Sequence, residues 1–507
     1  MKRKLIRCAI GMGFILAGSL SAARTPLRNP DFTKGEPKPE KAVHDWSLGA
    51  TGLRGWIYSR GLKTTEARQV LITEVATGSP ACGVLREGDV LLGVGGQPFS
   101  YDPRTELGKA LTAAEAGHGQ LSLMRWRDGK TEQVTLGLPV LGSYSPTAPY
   151  HCPKSDLILE KACESLADRM KRSDFDGNAI TRSLSGLGLL ASGNPKYHGV
   201  VKEQAEWAAD FSAESMATWW YGYITVFLSE YIIATGDQSV LPGLRRVAME
   251  AATGQSAAGS WGHRFANPDG SLPGYGMMNS PGVPLTIGLV LAREAGVDDP
   301  EVATAIARSG NLLRYYVGKG AVPYGDHAPW MQTHEDNGKC GMAAVLFDLL
   351  EEQEGSRFFS KMSTASHGNE RDMGHTGNFF NLTWAMPGVA RSGPYATGAW
   401  MHEFGSWYFD LARNWDWSFP HQGPPQAGND SYSKWDATGV YLIAYAMPRK
   451  AIRLTGSKPF STPPLGPAVA ASVILDGRES ESVHKFSAFR SWSPIIRYRA
   501  AKALARR

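Results

Sequence analysis

Beyond residue 142 the chain repeatedly writes helices that are apolar on every side. The stretches 180–190, 219–235, 283–295, 341–350, 376–385, 399–414 and 436–447 combine helical periodicity with Gly, Ala and Ser and carry few charges. A helix without a polar face has to be buried all round. Amphipathic stretches such as 240–252 and 300–317 alternate with these, and they need only one covered face. An inner layer of buried helices sheathed by an outer layer satisfies both. The copies recur at irregular intervals of roughly 25 to 60 residues, longer than most short solenoid repeats.

That alternation predicts a double ring, an α/α toroid, over residues 154–456. The segment resembles the toroids of terpene cyclases, prenyltransferases and helical glycan-degrading enzymes. Gln255-Ser256-Ala257-Ala258-Gly259-Ser260-Trp261 fits the Q-x-x-x-G-x-W repeat of triterpene cyclases once. Their D-x-D-D acid motif is missing, because Ser173-Asp174-Phe175-Asp176-Gly177-Asn178 lacks the fourth aspartate and is out of place. The architecture is retained and cyclase chemistry rejected.

A Pro/Ser/Tyr-rich linker, 142–153, separates this region from a smaller one at 46–141. There the sequence predicts a strand entering from Gly52-Leu53-Arg54-Gly55-Trp56, a β-branched strand at 70–75, and a helix over 102–116. Two further strands, 121–127 and 131–138, flank the turn Asp128-Gly129. The GSPA turn at 78–81, the GVLREGDVLLGVGG run at 83–96, the helix and the RWRDGK hairpin occur in the order of a PDZ domain, which this small α/β unit resembles. The resemblance implies that Gly52, Leu53, Arg54, Gly55 and Trp56 present backbone N–H groups to a peptide C-terminus. The peptide would add as a strand, with Leu107 and Leu111 lining its side-chain pocket. Arg54-Gly55-Trp56 departs from the smaller apolar residues common there, so Trp56 is placed to fill the pocket itself.

Residues 1–23 read as a signal peptide: a basic start at Lys2-Arg3-Lys4, an apolar core over 9–20, and small residues Ser21-Ala22-Ala23 for cleavage. Residues 24–45 form a Pro/Lys/Glu-rich leader. Losing Lys2, Arg3, Lys4 and Arg7 takes the formal charge from +5 to +1, so charge does not point to nucleic acid. No later run is apolar enough for a membrane span. An exported protein, periplasmic or extracellular, is expected. Cys82, Cys152, Cys163 and Cys340 show no CxxC pair, so neither zinc nor a disulfide framework is read from them, although Cys152 and Cys163 would be free to bridge in an oxidising compartment. At the far end, 457–480 reads as a linker and 481–507 as the start of a HEAT-like repeat, which needs neighbours to bury its apolar face. The combination is similar to a family of uncharacterised exported bacterial proteins joining PDZ domain, toroid and HEAT-like tail.

Candidate chemistry gathers where loops enter the inner helices. His334, Glu335 and Asp336 crowd one such entry, and His375 with Asn378 shares a helix face at another. His402-Glu403, Asp430, Tyr432 and Asp436 lie at further entries, and Tyr395 and Trp400 are additional ligand-contact candidates. A histidine beside a carboxylate can move a proton near neutral pH, and two carboxylates from separate loops can cleave a glycosidic bond. His375, Tyr395 and Asn378 would suit β-elimination from a uronic acid. The same polar residues also suit helix capping. Fifteen tryptophans serve either sugar stacking or ring-to-ring packing. No metal and no cofactor are expected, since no HExxH-type spacing occurs. The leading expectation is an exported protein whose toroid binds or cleaves a polysaccharide, as a glycoside hydrolase or lyase would. Its PDZ domain would hold peptide C-termini or another exported protein. The alternative is a non-catalytic scaffold.

Overall fold

The computed structural model describes residues 29–40, 44–60, 63–175, 178–213, 216–372, 379–422, 435–478 and 486–506. An N-terminal antiparallel sheet is followed by a mostly helical region. The sheet is formed by β1 (Trp46–Ser47), β2 (Leu53–Ile57), β3 (Val70–Val75), β4 (Val90–Val94), β5 (Gln97–Pro98), β6 (Gln120–Arg127) and β7 (Lys130–Gly137), with α1 (Pro103–Ala116) between β5 and β6. Its order is β1-β2-β3-β4-β6-β7, with β5 paired to β4. The β6–β7 hairpin turns on Asp128 and Gly129, both left-handed at φ 49° and 81°, the geometry a two-residue hairpin turn needs. Asp102 starts α1 by accepting from the Arg104 N–H at 3.0 Å, and Pro103 fits the first turn, where its missing N–H costs nothing.

The helical region runs through α2 (Pro153–Met170), α3 (Ala179–Ala191), α4 (His198–Asp210), α5 (Ala217–Thr235), α6 (Leu241–Thr253), α7 (Asn279–Glu294) and α8 (Pro300–Arg314). It continues with α9 (Lys339–Leu349), α10 (Gln353–Ala365), α11 (Asn369–Asp372), α12 (Phe379–Ala390), α13 (Pro394–Phe404), α14 (Thr438–Tyr445), α15 (Pro467–Arg478) and α16 (Pro494–Leu504). Six of these are buried nearly throughout: α3, α5, α7, α9, α12 and α14. Each touches the next, and α14 touches α3, so the series closes on itself. Amphipathic α2, α4, α6, α8 and α10 pack against its outside. Small residues set the spacing. A Cβ on Gly188 would lie 2.9 Å from the Gly439 Cα, and one on Gly388 would lie 2.5 Å from the Gly341 Cα.

The middle of the closed series is filled by aromatic rings from helices that are not neighbours. Tyr223 of α5 stacks on Phe380 of α12 at 5.6 Å, and the Trp384 indole N–H donates to the Tyr223 hydroxyl at 3.0 Å. Trp219 lies 5.3 Å from Phe380.

Two expectations need correction. The stretch 399–414 is not another inner helix: α13 ends at Phe404 and continues as a π-helical turn, Gly405–Asp410. It reads as buried because α15 covers α13 and α1 packs on the turn. The span 457–480, expected as a linker, carries α15, which lies on α10 and α13. Its flanking Pro and Gly residues masked the helix.

The two regions meet over a buried cluster of charges. Lys154, at the start of α2, is 2.9 Å from Glu115 of α1 and 2.7 Å from Asp410. Arg413 pairs with Glu115, Thr112 donates to Asp410 at 2.7 Å, and Tyr144 does so at 2.7 Å while meeting the Tyr445 hydroxyl at 2.8 Å. All four charged side chains are essentially inaccessible to solvent. Two positive and two negative charges cancel. Burial pushes the Tyr144 and Tyr445 hydroxyls well above the usual phenol range, reinforced by the Asp410 charge. Leu411 completes the join by entering the core of the sheet region beside Leu48, Leu53, Leu107 and Leu111. Removing one partner leaves a buried charge uncompensated, at a cost of about 3–5 kcal/mol. Lys154→Met is therefore expected to lower the denaturant-unfolding free energy by about that amount, whereas an exposed change such as Lys171→Met leaves it within about 0.5 kcal/mol.

Candidate functional site

The loop entering α9 decides most of the sequence-derived candidates. Glu335 is fully buried, and its carboxylate accepts the N–H groups of Cys340 (2.9 Å), Gly341 (3.0 Å) and Asp336 (3.0 Å). It is the cap of α9, satisfying donors a helix start leaves open. Burial raises its pKa, offset in part by Arg371 3.9 Å away and by those N–H groups. Asp336 pairs with Lys339 at 2.9 Å.

His334 is equally buried and points elsewhere. Its Nε2 meets the Ser493 hydroxyl at 2.9 Å, and its backbone N–H donates to Glu370 at 3.2 Å. Its Nδ1 and that of His367 stand 3.7 and 3.8 Å from the same Glu370 oxygen, beyond good hydrogen-bond distance. Arg499 of α16 reaches Glu370 at 3.0 Å, and Trp492 packs against the His334 ring. The C-terminal segment thus forms a lid over His334. Ser493 serves twice, since its hydroxyl also caps α16 at the Ile496 N–H. Arg371, likewise buried, donates to Asn381 at 2.9 Å and to the Ser363 carbonyl.

Of the other described candidates, Glu403 and Trp400 adjoin this cluster, through His367 and Arg371, while Asp436 is held elsewhere. Asp436 pairs with Arg169 at 2.8 Å and caps α14 through the Thr438 N–H at 2.8 Å. Glu403 accepts the Gly368 N–H at 2.9 Å and pairs with Arg478, while His402 is exposed. Trp400 is buried and stacked on Phe404 at 4.5 Å, and Tyr395 is exposed. His375, Asn378, Asp430 and Tyr432 lie outside the described residues.

The residues expected to hold a peptide are also committed. β2 is paired on both edges, with β3 on one side and β1 on the other, Trp46 opposite Gly55 and Ser47 opposite Arg54. Arg54 is tied to Asp45 by its Nε at 2.9 Å. Trp56, Leu107 and Leu111 are core residues alongside Leu48. Trp46 itself lies under the Arg104 guanidinium of α1, 4.2 Å from ring centre. The chain's own strand occupies the edge a ligand strand would use.

Aromatic and imidazole groups crowd the entries of α5 and α7. His263 accepts from the Trp219 indole N–H at 3.0 Å, and exposed Tyr275 stands edge-on to both His263 and Tyr324 at 6.2 and 5.9 Å. A cleft of about 870 Å³ opens beside them, lined by Tyr221, Glu250, Gln255, Phe265, Asn267 and Arg308 among others. Among the described residues, no cluster of His, Cys, Asp and Glu is arranged to hold a metal ion, and no helix is long and apolar enough to cross a membrane.

Sequence reasoning passed over Glu115, Lys154, Asp410 and Arg413, each of which reads alone as a surface charge. One signal was present. Glu115 lies at the C-terminal end of its helix and Lys154 at the N-terminal end of its own, each the wrong sign for the helix dipole. Charges so placed need another partner.

The architecture is an N-terminal antiparallel sheet fixed to a mostly helical region whose described entry carboxylates are held in caps and ion pairs. The family described as Domain of unknown function (DUF6288) matches residues 155–456, and the chain belongs to it. No curated protein matches the chain.

Ser493→Ala removes a cap and leaves His334 buried without its partner. Combining about 1 kcal/mol for the cap with about 1–3 kcal/mol for the unsatisfied ring nitrogen, a urea melt is expected to lose at least about 2 kcal/mol. Glu370 has a pKa below its ordinary value: burial would raise it, but the hydrogen bond and charge of His334, with His367 and Arg499, prevail. A depressed folded-state pKa contributes stability that is complete above the unfolded value of about 4.3 and is lost as pH falls through the folded value. The gap in stability between the wild type and Glu370→Gln, wide at pH 7, is expected to narrow below about pH 4 in melts run across pH.

Proposed function

We propose that the protein is an exported, non-catalytic scaffold: a PDZ-like domain, closed to peptides by its own strand, fixed to an α/α toroid whose centre is packed with aromatic rings. The observation that carries this reading is the commitment of the described candidate carboxylates. Glu335 caps α9, Asp336 holds Lys339, Glu403 holds Arg478 and Asp436 holds Arg169. Glycoside cleavage needs two carboxyl groups facing one bond with a gap for the sugar, and groups tied into caps and ion pairs are not so poised. The closed series of buried helices, with amphipathic ones outside, supports the toroid. The order of sheet, α1 and the β6–β7 hairpin supports the PDZ-like reading. Export rests on the sequence of residues 1–23.

A scaffold of this kind presents fixed surfaces, with the C-terminal segment held against the toroid by His334 and Glu370. Incubation with a panel of polysaccharides is expected to release no products, and free peptide C-termini are expected not to bind saturably. Product release that Glu335→Gln abolishes would instead make the toroid an enzyme.

A further inference from the structure

Where the two regions meet, a pocket of about 340 Å³ opens between the turn 78–80 and the segment that follows the π-helical turn. Two tryptophans, Trp415 and Trp417, line it together with Ser79 and Arg413. Trp415 is more than a third exposed, yet it is fixed. A Cβ on Gly52 would come 3.0 Å from its ring and one on Gly78 3.7 Å, so these glycines let the indole lie close over the sheet region. Trp417 sits in the left-handed region at φ 67°. A bulky residue there is strained, and such strain persists only where the surroundings enforce it, often at ligand sites. The enforcing frame is a tight loop. The Asn414 N–H bonds the Ser418 carbonyl at 2.8 Å and the Trp417 N–H the Asn414 carbonyl at 3.0 Å. Ser47 donates across to the Asn414 side chain at 2.6 Å.

The polar walls supply the second observation. The Ser79 hydroxyl and the Arg413 Nε–H are buried and have no hydrogen-bond partner among the described residues. Buried polar groups in native proteins are nearly always satisfied, and both these groups belong to residues lining the pocket. Both can donate. Arg413 brings no surplus charge, since its guanidinium, stacked 5.2 Å from the Trp417 ring, is already paired with Glu115 in a network of two positive and two negative groups. An anion would meet no net positive field here, whereas a neutral group rich in acceptor oxygens satisfies both donors without unbalancing the network.

We propose that this pocket is a binding site for a neutral saccharide, its ring stacked on Trp415 and Trp417 and its hydroxyl oxygens accepting from Ser79 and Arg413. A cavity of about 340 Å³ is at the lower end of the usual range for small-molecule sites, about 300–1,000 Å³, suited to one or two sugar units. Trp417 also lines a second hollow of about 500 Å³, together with Lys161, Glu164, Asp168 and Arg172. The site goes beyond the scaffold reading and stands whether or not the toroid cleaves anything.

Isothermal titration of the full chain with cellobiose, maltose, N,N′-diacetylchitobiose and, as the charged arm, digalacturonate tests it. At least one neutral disaccharide is expected to bind, with digalacturonate weaker. Trp417→Gly, which favours the same backbone angle, is expected to weaken binding at least about tenfold with the melting temperature held or raised. Ser79→Ala is expected to weaken it by a smaller factor. Should Trp417→Gly fold poorly, Trp417→Asn, tolerant of the left-handed region, and Trp415→Ala take its place. Binding to none of the neutral probes, preference for digalacturonate, or unchanged affinity in the tryptophan variants would each overturn the proposal.

Discussion

Four charges buried together between α1, α2 and the segment after the π-helical turn hold the two halves of this molecule in one arrangement. Lys154 bridges Glu115 and Asp410, Arg413 returns to Glu115, and the hydroxyls of Thr112 and Tyr144 complete the shell of Asp410. Taking such charges out of water is unfavourable one at a time and tolerable only when every partner is present. The network is therefore a condition on the relative placement of the sheet and helical regions more than a source of net stability. If α1 shifts against α2, four desolvated groups lose their partners together. Leu411, inserted in the sheet region's core, adds an apolar contact that fails in the same displacement.

The consequences run outward from that join. Because the π-helical turn packs on α1, the face of α1 beside Gly108 is covered: a Cβ there would come 2.8 Å from the Ser406 carbonyl oxygen. β1 takes the remaining edge of β2. The sheet region thus has this edge and this helix face covered by its own chain. On the other side, the six buried helices close around Tyr223, Phe380 and Trp384, aromatic contacts that span the ring and fix its diameter. What this leaves open to a ligand lies at the margins, where Trp415 and Trp417 stand between the regions and where Tyr275 stands by the entries of α5 and α7.

Much of the architecture was legible because it follows from local periodicity. Apolar-all-round stretches at 180–190 and 219–235 could only be buried helices, and α3 and α5 are. The Asp128-Gly129 turn announced the β6–β7 hairpin. The candidate site was legible only as composition. Glu335 was recognisable both as a cap and as a candidate acid, and nothing local separates the two roles, because both place a carboxylate at a helix start. The choice is made by Ser493, Glu370 and Arg499, which surround its neighbour His334 from 36 or more positions further along the chain. The charge network was hidden for the same reason. Lys154 and Asp410 are 256 residues apart, and only the mismatch of Glu115 and Lys154 with their helix dipoles hinted at it. The 399–414 stretch misled because burial beneath α15 and α1 produces the same apolar composition as burial in the ring.

Scanning calorimetry of the intact chain addresses the central claim, that the sheet and helical regions form one mechanical unit through the buried charges. A single transition, with calorimetric and van't Hoff enthalpies equal, is the result the account predicts. Two resolved transitions, the smaller one matching the sheet region and unmoved by Asp410→Asn, would contradict it.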